Sequence, residues 1–178
     1  ENISYSYYNS GQMAQTVSRY ANGYYGSTDT SSFKYDVDGN RTFEGHVVTG
    51  TTYDWYDGVG TTYSITHQQA NVTWDALNRV TSYVDAGTSS SPVDIQWEYD
   101  LTGNIRRMVS VFRYVDAQGT LFTYDTTQDY WYKYDSMNRC VTTKGALSGT
   151  RGSGSIVKGT TGTDITYDAA GRRTIATN

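Results

Sequence analysis

Aspartate recurs in one local setting along the chain. Five aspartates each follow an aromatic residue and precede a Gly or Asn by three positions: Asp36, Asp75, Asp100, Asp135 and Asp168. Carboxylates can act as general acids or bases, and they can bind divalent cations. The same spacing suits a turn, because an Asp at the first corner accepts a hydrogen bond from the amide two residues on. Since all five share these surroundings, we interpret them as turn residues.

Other residue types with chemical potential stand far apart. His46 and His67 are the only histidines, with no Cys or paired carboxylate at ligand spacing, so we expect no zinc site. Cys140 is the single cysteine, which excludes an internal disulfide, and we interpret it as a strand residue. The Gly-rich stretch 149–162 lacks a Walker-type Gly-Lys-Ser/Thr. We predict no cofactor, no metal and no enzyme, although a Ser-His-Asp triad stays open because its members meet only in space.

The aspartates belong to an eight-residue frame that occurs six times, starting near residues 5, 33, 72, 97, 132 and 165. Positions one and three of the frame are apolar or aromatic, and position two is polar or charged in all six copies. Position four is Asp, except for Tyr8 in the first copy. Alternation of this kind predicts a half-buried β-strand, and aromatic and β-branched side chains suit its pleated surface.

Position seven of the frame is always Gly or Asn. These two residues differ in volume and polarity but share tolerance of positive φ. A type I turn followed by one left-handed residue is a common three-residue hairpin connection. We therefore predict six hairpin turns, and in three of them we expect the position-eight residue, Arg79, Arg139 or Arg172, to pair with the position-four Asp. The structural turn motif comprises Tyr35, Asp36, Gly39, Trp74, Asp75, Asn78, Tyr99, Asp100, Gly103, Tyr134, Asp135, Asn138, Tyr167, Asp168 and Gly171.

Composition agrees with a β-rich protein. The chain has 178 residues, with 18 Tyr, 18 Gly and 1 Pro, and a net charge of −4. That charge argues against nucleic acid as a partner, because phosphate binding needs a basic face. No segment has the pattern of a signal peptide or a transmembrane helix. We expect residues 1–178 to be one repeat region cut from a longer protein, since the chain starts inside a frame and stops just after one.

The frames predict the fold class. They recur at intervals of 25 to 39 residues, with room for further strands between them. We predict an all-β protein in which antiparallel hairpins form a curled, spiral sheet, as part of a hollow shell or barrel. A β-propeller is the alternative, although its blades keep a steadier period of about 40–50 residues. We further expect a loop at Ser148 to Gly162, strand or short helix at Gln12 to Tyr20, and strand at Tyr53-Asp54.

The frame resembles the YD repeat of Rhs proteins. Tyr35-Asp36 with Gly39-Asn40, Tyr99-Asp100 with Gly103-Asn104, and Tyr167-Asp168 with Gly171-Arg172 show the pattern Tyr-Asp-x-x-Gly-Asn/Arg. The resemblance spans Tyr5 to about Thr174. It implies a sheet that spirals into a hollow shell, as in the C components of Tc toxins, bacterial polymorphic toxins and teneurins. In the bacterial cases the shell encloses a toxic C-terminal domain, and in teneurins it is an adhesion scaffold.

One departure from the family bears on function. Bacterial shells end in a segment rich in Pro, Asp and Gly with an Asp-dependent self-cleavage site, whereas this chain has only Pro92, far from its end. The cleavage residues therefore have no counterpart here, and no toxin domain is present. The resemblance implies a piece of shell wall, secreted or at the cell surface, without membrane insertion. Its partners would be an enclosed toxin or effector domain, or further repeats.

The second hypothesis is a carbohydrate-binding or adhesion module. Exposed Tyr and Trp rings can stack on sugar rings, so exposure of the tryptophans discriminates between the hypotheses. Trp97 shares the strand face of Tyr99, and we expect it to be buried. Trp131 lies on the opposite phase, beside Lys133, and is a possible ligand contact. Trp55 is a further candidate.

Overall fold

The protein is all-β. A computed structural model describes residues 2–22, 25–54, 56–87, 93–115, 121–123 and 127–177. Those residues form strands and turns without a helix, which confirms the predicted array of antiparallel hairpins. The strands are β1 Asn2–Tyr7, β2 Met13–Asn22, β3 Tyr25–Tyr35, β4 Arg41–Tyr53, β5 Gly60–Trp74, β6 Val80–Asp85, β7 Val93–Tyr99, β8 Ile105–Val115, β9 Leu121–Thr123, β10 Gln128–Tyr134, β11 Cys140–Ser148, β12 Ser155–Val157, β13 Thr163–Tyr167 and β14 Arg173–Thr177.

The chain divides into two compact units. Unit 1 comprises Glu1–Asp94 and Phe112–Tyr124, and unit 2 comprises Ile95–Val111 and Asp125–Asn178. Each unit therefore contains three frames, and β7 and β8 run through the boundary. That the whole chain is one repeat region of a longer protein stays a prediction.

Unit 1 is a ladder of strands in sequence order. From β1 to β6, each strand pairs antiparallel with the next. The segment Gln12 to Tyr20 resolves as strand from Met13 onward. A ladder of six consecutive strands does not fit the propeller alternative, whose blades are four-stranded sheets. In the same unit, β9 pairs with the end of β8.

Unit 2 has a branch in its ladder. Its strands pair in the order β8, β10, β11, β13 and β14. The expected loop at Ser148 to Gly162 is wrong in part, because Ser155–Val157 forms β12 and pairs with the end of β11. Gly149 and Gly152, at φ +95° and +98°, allow the chain to turn back there.

Little of the sheet is covered. Among the described residues, the buried hydrophobic side chains are Ala70, Trp131 and Ile165. The accessible surface is 11637 Å². A compact monomer of 19.8 kDa exposes about 8,600 Å², and two separate compact domains of half that mass expose about 10,400 Å² together. The chain therefore leaves more surface open than either arrangement of compact domains would.

Candidate functional site

The frame turns share one backbone. In all six, the position-four N–H donates to the position-eight carbonyl and the position-seven N–H donates to the position-four carbonyl, at 2.8–3.2 Å. Position seven is left-handed throughout, with φ between +56° for Asn78 and +93° for Gly103. This is the conformation that the exchange between Gly and Asn predicts, because these residues tolerate positive φ best.

The position-four carboxylates complete the turns. In each of the five Asp frames, Oδ1 accepts hydrogen bonds from the backbone N–H groups of positions six and eight, at 2.8–3.0 Å. Oδ2 accepts from the position-eight side chain, which is Asn Nδ2 in two frames and Arg Nε in three. The predicted pairing of Arg79, Arg139 and Arg172 with the aspartates is confirmed, at 2.7–2.8 Å.

The electrostatics of these carboxylates favour the ionised form. Hydrogen bonds from the Arg79 and Arg139 side chains hold the pKa of Asp75 and Asp135 below its usual range. For Asp168, the Arg172 amide and then its guanidinium lower the pKa. For Asp36 and Asp100, burial alone would raise the pKa, but the hydrogen bonds from their turns outweigh it. A general acid or base works best with a pKa near the operating pH, so this arrangement suits turn closure better than proton transfer.

In three frames the position-three ring joins its hairpin to the one before it. Trp74 Nε1 donates to the Arg41 carbonyl at 2.9 Å. Tyr134 Oη donates to the Ile105 carbonyl and Tyr167 Oη to the Cys140 carbonyl, both at 3.0 Å. In all three cases the acceptor directly follows position eight of the preceding frame. Sequence reasoning missed this contact, although the signal was present: position three is always Tyr or Trp, which carry a donor, and never Phe.

Within each unit, position-eight side chains contact the following frame. Asn40 Nδ2 donates to Asn78 Oδ1 at 2.9 Å in unit 1, and Asn104 Nδ2 donates to Asn138 Oδ1 at 3.3 Å in unit 2. In a further contact of this kind, the Arg139 guanidinium lies 4.5 Å from the ring centroid of Tyr167. The frame residues therefore connect hairpins as well as closing them.

Grooves lie between successive turns within each unit. The larger, of about 880 Å³, lies between the first two turns and is lined by Tyr8, Lys34 and Tyr35 among others. A groove of about 430 Å³ separates the turns at 100–104 and 135–139. It is lined by Lys133 and Tyr134, which occupy the same frame positions as Lys34 and Tyr35. The first groove is built from frame residues, and the second is built mainly from them, with Arg106 and Ile156 in addition.

The two histidines are neighbours in space. The rings of His46 and His67 are stacked with centroids 5.1 Å apart, and His46 Nε2 lies 2.8 Å from Asp29 Oδ1. A register shift between β4 and β5 at His46 and Val47 brings the distant histidines together, and both are half-buried. Within the described residues, no group of three or more His, Cys, Asp or Glu side chains could hold a metal ion.

Cys140 lies at the start of β11, as the strand interpretation predicts. It is half-buried, and burial raises the pKa of its thiol. A raised pKa leaves less thiolate at neutral pH, and the thiolate is the nucleophilic form of cysteine.

The predicted exposure of two tryptophans differs from what the structure shows. Trp131, the possible ligand contact, is only 4% exposed, so the expectation that it is available to a ligand is wrong. It pairs with Gly145 of β11, and the guanidinium carbons of Arg106 and Arg107 lie 5.4 and 5.1 Å from its ring. Arg107 is held over the ring by hydrogen bonds of 2.7 Å to both oxygens of Asp129. Trp97 is half-buried, not buried, and Trp55 lies outside the described residues.

A seventh turn escaped the sequence pattern. Tyr53 ends β4 as expected, but Asp54 is a turn residue and not a strand residue. Its N–H donates to the Val59 carbonyl at 3.0 Å, and the Gly58 N–H donates to the Asp54 carbonyl at 2.9 Å. Gly58 has φ +69°. The turn is one residue longer than the frame, so a search at fixed spacing passes over its glycine.

Comparison with known proteins finds no family model that matches the chain and no curated protein that is significantly similar to it. In the part of the chain that the structure describes, no helix is long and apolar enough to cross a membrane.

Proposed function

We propose that this chain is a structural β-sheet segment of an Rhs-type protein, which encloses or scaffolds a toxin or effector domain. The observation that supports this most directly is the repeated contact between a position-three ring and the carbonyl that follows the preceding frame. The residues that could do chemistry use their hydrogen-bonding groups to close hairpins and to join one hairpin to the next. We infer a scaffold and not an enzyme.

The open surface supports the same proposal. A single sheet layer cannot bury its apolar face by itself, and repeat proteins solve this by adding neighbours. The exposed area of 11637 Å² exceeds that of compact domains of this mass and leaves a surface for such neighbours. We propose that an enclosed domain, or further repeats of the same protein, cover it. A secreted or cell-surface location follows from the family resemblance.

The test is the mass and protease resistance of the native polypeptide. An antibody to this segment should detect, in the source material, a band several times larger than 19.8 kDa. Limited proteolysis of that polypeptide should leave a fragment outside this segment that is protected while the sheet is folded and digested once urea unfolds it. A band near 19.8 kDa, or no protected fragment, would contradict the proposal.

A carbohydrate-binding or adhesion role is the second candidate, and one observation favours it. Exposed tyrosines gather at the ends of β2 to β4 that lie away from the frame turns. Tyr20 is 49% exposed and Tyr25 55%, and Asn22 Nδ2 donates to Tyr20 Oη at 3.1 Å. Such rings could stack on sugars.

Calorimetric titration with a panel of polysaccharides tests this second candidate. Tyr25→Ala is the variant that should weaken binding. Tyr5→Ala is the control, because Tyr5 is an equally exposed tyrosine on β1. Absence of binding across the panel would overturn this candidate.

A further inference from the structure

Residues 146–157 of unit 2 form a short hairpin, which we call the strap. The last three residues of β11 pair antiparallel with the three residues of β12. The loop between them is closed by hydrogen bonds from the N–H groups of Ser153 and Gly154 to the Thr150 carbonyl, at 3.1 and 2.7 Å. Strands two places apart in a flat sheet lie about 9–10 Å from each other, yet β12 contacts β10. The strap therefore leans over the sheet.

Trp131 lies at the point where the strap begins. It pairs with Gly145, the residue before the strap, and it is the one buried aromatic side chain among the described residues. An added Cβ at Gly145 would lie 2.7 Å from the Val157 carbonyl oxygen and 3.0 Å from that of Trp131, so β12 and β10 both approach this backbone closely. Glycine here allows the strap to fold tightly against the strand that carries Trp131.

A groove of about 340 Å³ lies between the strap and the sheet. Trp131, Arg107 and Asp129 line it from the sheet, and Leu147 and Arg151 are among its lining residues from the strap. The strap therefore forms one wall of the space beside the tryptophan. In an array that leaves most of its surface open, this is the place where one segment of the chain covers the face of another.

An ion pair tethers the tip of the strap to a distant strand. Arg151 Nη2 lies 2.7 Å from Oε1 of Glu98 on β7, and β8 and β10 lie between β7 and β11 in the sheet. The Arg151 side chain is 66% exposed, so water and salt reach the pair. Exposed ion pairs are weak and are screened by salt. The tether is therefore easily released.

The residues that stay behind form a separate ion pair. Arg107 on β8 donates to both oxygens of Asp129 on β10 at 2.7 Å, and it also donates to Glu98 at 2.9 Å. These contacts lie within the sheet and do not involve the strap. Arg107 therefore keeps its place 5.1 Å from the Trp131 ring whether or not Arg151 is bound.

The hinge of the strap is strained. Lys144, two residues before the strap, has φ +48°, a left-handed conformation that is unusual for a residue other than Gly, Asn or Asp. Such strain persists only where surrounding contacts hold it. A strained hinge at one end and a weak tether at the other favour movement of the strap as a unit.

We propose that the strap is a lid on the sheet of unit 2, which opens when Arg151 separates from Glu98 and thereby uncovers Trp131. The open form presents the indole ring with the Arg107 guanidinium beside it. Ionic strength sets the open fraction, because the Debye length falls from about 10 Å at 0.1 M salt to about 3 Å at 1 M. This inference concerns a moving part of unit 2 and does not depend on the proposed scaffold function.

Hydroxyl-radical footprinting of the full chain tests the lid, because mass spectrometry of the peptides reads each tryptophan separately. Arg151→Ala should raise the oxidation rate of Trp131 about two- to fivefold. A buried ring reacts mainly from the open form, and loss of an exposed ion pair shifts the equilibrium by about this factor. Trp74 in unit 1 is the internal reference and should not change. Arg172→Ala is the matched control, since Arg172 is an exposed arginine of unit 2 whose ion pair with Asp168 closes its own turn.

Two further measurements separate opening of the lid from loss of the fold. Arg151→Lys retains the charge and should oxidise more slowly at Trp131 than Arg151→Ala. Raising the salt from about 0.05 to about 0.5 M should speed Trp131 oxidation in the parent chain and have little effect in Arg151→Ala.

Three outcomes would overturn the lid. The first is an equal Trp131 rate in the Arg151→Ala and Arg172→Ala chains. The second is a rise at Trp131 that Trp74 matches, since that reports unfolding of the whole chain. The third is the same salt response in the parent and Arg151→Ala chains, because the tether would then not be the element that salt releases.

Discussion

The turn at residues 36–40 and the turn at residues 75–79 close the same hairpin backbone with different side chains. The first has Gly39 at φ +87° and Asn40, whose Nδ2 lies 3.1 Å from the Asp36 carboxylate. The second has Asn78 at φ +56° and Arg79, whose Nε lies 2.7 Å from Asp75. Both turns have a left-handed residue and a donor to the carboxylate, and the comparison teaches that this donor can be neutral or charged.

Unit 2 repeats the same two kinds of turn in the same order. Residues 100–104 form a turn of the Gly-Asn kind, and residues 135–139 form one of the Asn-Arg kind. In both units the Asn of the first turn donates to the Asn of the second. The left-handed Asn is therefore more than a substitute for Gly, because its side chain accepts a bond that Gly cannot. The second to fifth frames therefore alternate between the two kinds of turn, and the following predictions test how these turns differ.

The largest expected effect is at a left-handed glycine. Gly39→Val or Gly103→Val should lower the free energy of unfolding by about 1–2 kcal/mol or more, because a β-branched residue is strained at positive φ. Gly26→Val is the matched control: Gly26 lies in β3 without positive φ, and an added Cβ there meets no atom within 4 Å. Urea denaturation measures all three. An unchanged midpoint for both turn variants would contradict the turn assignment.

The next effect concerns the ring that joins hairpins. Tyr134→Phe should cost about 0.5–1.5 kcal/mol of unfolding free energy, because the hydrogen bond to the Ile105 carbonyl is lost. Tyr132→Phe is the control from position one of the same frame, and its hydroxyl has no hydrogen bond within the described residues. Thermal and urea unfolding should separate the two variants. Equal stability of both would show that the ring hydroxyl contributes nothing.

Acid should weaken both kinds of turn. The pKa values of Asp36 and Asp135 are lowered in the folded chain, so their contribution is fully present above the unfolded value of about 3.9. It is lost as the pH falls through the lower folded values. Stability measured against pH should therefore decline below about pH 4, and the decline should be shallower in Asp135→Asn. A stability that rises in this range would contradict the assignment.

The smallest effect is expected at a left-handed asparagine. Asn138→Gly keeps the backbone conformation and removes only the acceptor for Asn104 Nδ2, at 3.3 Å on the surface. The free energy of unfolding should change by less than about 0.5 kcal/mol. A loss as large as that of Gly103→Val would mean that the contact between turns, and not the backbone, determines stability. Urea denaturation of the two variants side by side decides between these possibilities.

The local part of the structure could be predicted from the sequence. Alternation in Phe33-Lys34-Tyr35 and the Gly or Asn three residues after each Asp are local signals, and both strand and turn formed where they indicate. Contacts between hairpins depend on register, which no local pattern contains. The bond from Trp74 to the Arg41 carbonyl and the stacking of His46 on His67 belong to this second kind.

Trp131 shows why burial was harder to predict than strand phase. Its phase, opposite to that of Tyr132, follows from simple alternation. Its burial depends on a register shift in β11, where Lys144 takes φ +48° and Gly145 pairs with Trp131. Arg107 then covers it, held by Asp129. Since a bulge and a distant ion pair decide which face is covered, the sequence pattern alone could not assign Trp131 to the interior.

The most direct test of the central claim is a pH titration of the aspartate carboxyl groups in the folded chain by carbon-detected NMR. If the frame aspartates are ionised acceptors that close turns, then Asp36, Asp75, Asp100, Asp135 and Asp168 should all titrate below the ordinary value of about 3.9. A frame aspartate that titrates near neutral pH would contradict the account, because such a group is protonated in part under working conditions and is suited to proton transfer.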